Sequence, residues 1–111
     1  MHFKSMPMAK LPSSFRAKNR TSRNFRQLYA RLPDDVKKRC RKSCVTFDKD
    51  PSRRSLRHKQ LEDKSNSPHK DESFSVSISM DYRALYVVGD DGKNVWYWIG
   101  SHSDYNNFTG N

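Results

Sequence analysis

The chain is short of several things, and each shortage closes a class of function. No run of about 18 apolar residues occurs, so the sequence offers no membrane-spanning helix, and the N-terminal MHFKSMPMAKLPSSFRAKNRTSR lacks the apolar middle section of a secretory signal. The expected location is therefore the cytoplasm. Only two cysteines are present, Cys40 and Cys44, four apart in a helical-looking segment, a spacing that suits reduced core thiols rather than a disulfide framework. The four glycines, Gly89, Gly92, Gly100 and Gly110, form neither a phosphate-binding loop nor a dinucleotide fingerprint. His2, His58, His69 and His102 include no tight pair and there is no Cys-x-x-Cys, so neither a metal site nor any other cofactor is expected.

Acidic residues are also scarce in one half. Of 22 Lys and Arg, eighteen fall in residues 1–60 beside only four of the twelve Asp and Glu, while residues 61–111 carry a small acidic excess. A net charge of +10 distributed this way reads as a polyanion footprint, with nucleic acid or ribosome contact ahead of mere solubility. At 111 residues the chain can bury one core of two layers.

Residues 1–20 carry Pro7, Pro12 and scattered basic residues with little periodicity, so they are expected to form a flexible basic arm, with at most a short strand near Phe15. A single domain over 21–111 should follow. Thr21 and Ser22 are N-cap candidates for a helix with Phe25, Leu28, Tyr29 and Leu32 on one face. Pro33, Asp34 and Asp35 start a second helix, to about Asp48, whose buried stripe is Val36, Cys40, Cys44 and Phe47. From Asp50-Pro51 the pattern changes. Ser55 to Leu61 reads as a short strand and KSNSPHKD (64–71) as a polar loop. Phe74, Val76, Ile78 and Met80 alternate with serines as on a strand with one buried face, Tyr82 to Val88 and Val95 to Ile99 form two further strands, and Gly89-Asp90-Asp91-Gly92 turns between them. Trp96 and Trp98 are expected on one face, with Tyr97 opposite. The predicted fold class is α+β: a helical hairpin packed on a small antiparallel sheet, with a short C-terminal helix or tail.

One group of residues suits metal-free cleavage of a phosphodiester. Attack of a 2′-OH on the adjacent phosphate needs a base, an acid for the leaving 5′-oxygen, and cations for the charge on the phosphoryl group. His102 can move a proton, since histidine as a type titrates near neutrality. Arg83 can supply a rigid fork of donors, with further positive charge from Arg57, His58 and Lys59. Tyr105 or Phe108 can stack on a base. Each has a plainer role: Arg83 could pair with Asp81 or Asp104, His102 could be only a helix-start residue, and the tryptophans could be only core.

The stretch from about Ser22 to Phe108 resembles the RelE/ParE superfamily, the toxins of type II toxin–antitoxin systems, and within it the RelE- and YafQ-like branch. The resemblance rests on FRQLYARLPDDVKKRCRK, on DPSRRSLRHKQL, on YRALYVV, and on VWYWIGSH followed by an aromatic. It implies two helices on a small antiparallel sheet and a ribosome-dependent endoribonuclease that cleaves mRNA and inhibits translation. The implied partners are the ribosome, mRNA and a cognate antitoxin that masks the active surface, with no membrane. It places Arg83 as the phosphate-stabilising arginine, His102 as the catalytic residue after the last strand, Tyr105 or Phe108 as the aromatic, and Lys59 as a further cation. The chain departs from the pattern at FSVSIS, where relatives often carry basic residues in place of Ser75 and Ser77. Two alternatives share the fold: a ParE-like inhibitor of DNA gyrase, and a catalytically decayed basic module that binds RNA or an antitoxin.

Overall fold

The structure, a computed structural model, describes residues 10–110. Four helices and five strands alternate as α1 (Ser13–Lys18), β1 (Asn19–Thr21), α2 (Arg23–Ala30), α3 (Asp34–Lys49), β2 (Lys59–Gln60), β3 (Phe74–Ser79), β4 (Tyr82–Val88), β5 (Asn94–Ser101) and α4 (His102–Thr109). The strands form one sheet in the order β1-β5-β4-β3-β2. The sheet is mixed rather than purely antiparallel as expected, because β1 runs parallel to β5, pairing Arg20 with Val95 and Thr21 with Trp96.

That parallel edge comes from the segment expected to be a flexible arm. Residues 1–9 of that arm lie outside the described residues, but from Leu11 onward the chain is packed: Leu11 and Phe15 are buried in the main core. Phe15 sits on a helix rather than on the expected strand, and the strand comes four residues later. Asn19 makes the join. Its side-chain amide donates to the Phe15 carbonyl at 2.9 Å, and its Oδ1 accepts from the Trp96 indole at 2.9 Å and from Asn94 at 3.1 Å. A 3% exposed asparagine with its polar atoms matched in this way fixes the register of β1 on β5.

Ser22 caps α2, its hydroxyl accepting from the Phe25 amide, and Phe25 and Tyr29, one helical turn apart, are buried on the sheet. Pro33 opens α3 with Asp34 and Asp35 in the first turn, where carboxylates meet the positive end of the helix dipole. Val36, Cys40 and Phe47 are buried, and Cys44 is half-buried with its thiol pKa pushed well up by its hydrogen bond to Cys40 and by burial. These helices cover one face of the sheet, packing against Val76, Ala84, Tyr86, Trp96 and Ile99. The other face is covered by α4, where Tyr105 and Phe108 meet Leu85, Tyr97 and Trp98.

The strand expected over Ser55–Leu61 is instead a 3-10 turn, Arg54–Leu56, followed by the two residues of β2. Arg57 ends the turn in the left-handed region at φ 45°. A second departure lies on β5. Leu85 pairs with Trp98 but Tyr86 pairs with Trp96, so Tyr97 is an extra residue, a β-bulge. The period of two breaks there: Trp96 points into the first core, while Tyr97 and Trp98 both join the second, the reverse of the expected pairing of the tryptophans.

Candidate functional site

Strand register assembles the site. Ser77 lies opposite Arg83, and Arg83 opposite Gly100, so these three share the face that α4 covers. Lys59 pairs with Ser75 and so belongs to the same face, one pair further along the sheet. After Gly100 the chain turns into α4: Ser101 caps the helix, its hydroxyl accepting from the Asp104 amide, and His102 takes the first helical position. The His102 amide donates to the Asp81 carbonyl at 2.6 Å, which ties the start of α4 to the β3–β4 turn and brings His102 beside the strand that carries Arg83.

Arg83 is 9% exposed. Its Nη1 donates to the carbonyls of Ser79, Met80 and Tyr82 at 3.1–3.3 Å, so the turn between β3 and β4 holds the guanidinium by one nitrogen. Nε and Nη2 have no partner among the described residues, and no ion pair to Asp81 or Asp104 forms. Burial, and then the nearby Arg57 guanidinium, push the Arg83 pKa down, while Tyr105 and Asp81 act the other way. An anion seated near both guanidinium groups would relieve their mutual repulsion, the second of these effects.

Tyr105 links the two expected catalytic residues. The Arg83 guanidinium lies 5.9 Å from the Tyr105 ring centre, within cation–π range, and the His102 ring stacks on the same tyrosine at 6.2 Å. Tyr105 itself is 4% exposed and has no open face for a base, so it serves as a strut rather than the stacking platform expected from the sequence. Its hydroxyl and that of Ser77 are buried and have no hydrogen-bond partner among the described residues. His102 is exposed, and its ring makes no hydrogen bond among the described residues.

Two expected members lie elsewhere. His58 is turned into the first core, edge-on to Phe47 at 5.4 Å, with Nε2 2.7 Å from the Tyr86 hydroxyl. Burial lowers its pKa, and burial pushes Tyr86 up to about 12. Its contacts among the described residues are those of a packing residue. Phe108 stacks on Trp98 at 4.8 Å, whereas the ring that His102 stacks on is that of Tyr105. Arg57 and Lys59 remain exposed.

Sequence reading missed what lies alongside Arg83. A groove of about 730 Å³ runs between α3, the 3-10 turn and the Ser77–Met80 end of β3, and among the described residues Arg39, Lys42, Arg53, Arg54 and Arg57 line it without a single carboxylate. The signal was present as Arg39, Lys42 and Thr46 at helical spacing and as the Arg53-Arg54 pair. Among the described residues no group of His, Cys, Asp and Glu is arranged to hold a metal ion, and no helix is long and apolar enough to cross a membrane. No family model, no curated protein and no solved structure matches the chain.

Proposed function

We propose that this protein is a RelE-like toxin of a type II toxin–antitoxin system, acting as a metal-independent, ribosome-dependent mRNA endonuclease. The observation that carries the reading is the packing of His102 and Arg83 on one buried tyrosine, with two guanidinium nitrogens left unpartnered. In the reaction the 2′-oxygen bonds to the neighbouring phosphorus and the bond from phosphorus to the 5′-oxygen breaks. The products are a 2′,3′-cyclic phosphate and a 5′-hydroxyl. His102 moves one of the two protons exchanged, from the 2′-oxygen or to the 5′-oxygen. Arg83, locked by the turn carbonyls, presents its free donors to the non-bridging oxygens as charge builds on them, at no reorganisation cost. Arg57 supplies the second cation, in place of the basic residues that Ser75 and Ser77 do not provide.

Regulation follows from charge: an antitoxin with an acidic or amphipathic segment would cover the cationic surface. Retained activity at saturating antitoxin would contradict this. The function itself is tested by incubating purified protein with mRNA-programmed ribosomes and with free mRNA, beside His102→Ala and Arg83→Lys. Cleavage confined to ribosomes and lost in both variants is expected. A folded, antitoxin-free protein that cuts neither substrate overturns the reading and favours the decayed module, for which the serines of β3 are the supporting feature.

A further inference from the structure

We infer that the groove between α3 and the 3-10 turn is a binding site for the sugar-phosphate backbone of single-stranded RNA, leading the strand into the Arg83 site. The inference rests on the nuclease reading for its direction, but the groove stands on its own observations.

Five cations line the groove, and among the described residues none of them is in an ion pair. The Asp50 carboxyl is held below its usual range by its hydrogen bonds from Ser52 and, last, by the charge of Arg53, and the Arg57 charge opposes that of Arg83. Such unneutralised clustering costs folding energy that a polyanion offsets. From Arg39 to Thr46, α3 supplies about 10 Å of wall, room for about three phosphates at the axial spacing of a stacked strand. At the inner end Ser77 lines the groove, and it pairs with Arg83 across the two strands. The Ser79 and Met80 carbonyls that hold Arg83 belong to residues of the same wall, so the groove borders the turn that anchors the guanidinium.

An acidic peptide is the rival occupant, because β3 has a free edge beyond its short pairing with β2. That edge is blunted. The register of β3 slips between Ser77 and Ser79, and the Ile78 carbonyl already accepts the Ser43 hydroxyl at 3.1 Å. A bulge and a capped carbonyl obstruct strand addition, whereas a phosphate chain needs only charge and hydroxyls.

The probe is a short 2′-O-methyl RNA oligonucleotide, which lacks the attacking hydroxyl, so binding is read without cleavage. Its affinity is measured by fluorescence anisotropy across a salt titration, for the full chain and for Arg39→Gln/Arg54→Gln. For single strands the logarithm of affinity falls with that of salt at about 0.7 per phosphate contact. Losing two contacts should therefore flatten the slope by about 1.4 and weaken binding by about 25-fold at 0.1 M salt. Lys38→Gln/Lys49→Gln, equal in charge change but outside the groove, should bind as the parent does, and Arg39→Lys/Arg54→Lys should restore the slope. Circular dichroism establishes that each variant is folded. Equal losses in the two Gln pairs, or no loss in either, would overturn the groove. So would a poly-glutamate peptide that binds more tightly than the oligonucleotide and displaces it. Groove-dependent binding by a parent protein that never cleaves would leave the groove standing and remove the nuclease.

Discussion

Replacing Tyr105 by Phe removes one oxygen and nothing else, and the structure sets the sign of the effect. The Tyr105 ring is 4% exposed and packs against Trp98, Arg83 and His102, all contacts that a phenylalanine ring keeps, the cation–π contact included. The hydroxyl is buried without a hydrogen-bond partner among the described residues. An unsatisfied buried hydroxyl costs about 1–3 kcal/mol relative to its hydrated state in the unfolded chain. The variant should therefore be more stable, by about 1 kcal/mol at the low end. With an unfolding entropy of about 2.1 cal/mol/K per residue, a chain of this length converts that to a Tm rise of about 4 °C. Calorimetry, supported by a urea titration in which the midpoint rises and the slope is unchanged, reads the effect. A lower Tm would refute the reasoning, because it would mean that the oxygen is partnered in the folded protein. A higher Tm with slower RNA cleavage would assign the hydroxyl to the substrate.

Other expectations follow from the same geometry. His102→Ala, at an exposed ring without hydrogen bonds, should leave stability within about 0.5 kcal/mol while lowering cleavage on ribosomes by about 10²–10⁴-fold; a melt and a fragment assay on one preparation separate the two. Asn19→Ala strips partners from the Phe15 carbonyl and the Trp96 indole and should cost about 2–4 kcal/mol, with rapid hydrogen exchange at Ser22, whose amide donates to the Trp96 carbonyl, as the local sign of a released β1. His58 has a folded-state pKa below its usual value of 6.5 through burial. Its contribution is thus complete above about pH 7 and is lost as pH falls below 6.5, since the unfolded chain binds the proton first. His58→Gln should flatten the Tm profile between about pH 7 and 5, and an unchanged profile would show that the ring is not protected from solvent. Arg57→Gly, at φ 45°, should relieve backbone strain and gain up to about 1 kcal/mol while weakening RNA binding, measured on the oligonucleotide described above.

The parts of the fold legible in the sequence were those in which one period runs unbroken. Ser22 and Pro33 mark helix starts by local chemistry, and the serine alternation of β3 marks one strand. What escaped depends on contacts between distant segments. Phe15 lies in a short helix because Asn19, Trp96 and the sheet edge fix it there, and nothing within six residues announces that. The β5 bulge hides inside a run of aromatics, all of which are apolar enough for either face, so a period-two reading cannot detect the extra residue. In the site, Arg83 and His102 were visible as residue types after strand signals. His58 misled because its neighbours Arg57 and Lys59 are exposed, yet a β-like alternation would itself have turned it inward. The groove was missed because its cations come from α3 and from a turn read as a strand.

That last error bears on the absence of basic residues from β3. A cation at position 77 would have to occupy a buried slot opposite Arg83, where the desolvation cost of a second charge is high. Serine leaves the slot neutral. The 3-10 turn instead delivers Arg57 from outside, exposed and hydrated, close enough for its field to be felt at Arg83. The site thereby keeps two guanidinium groups close enough to interact while burying only one, and the price is the left-handed backbone at Arg57. If this division of labour is right, Ser77→Lys should not enhance activity. It should lower stability by crowding a second charge against Arg83, and a gain in cleavage without loss of Tm would show that the serines mark decay rather than relocation.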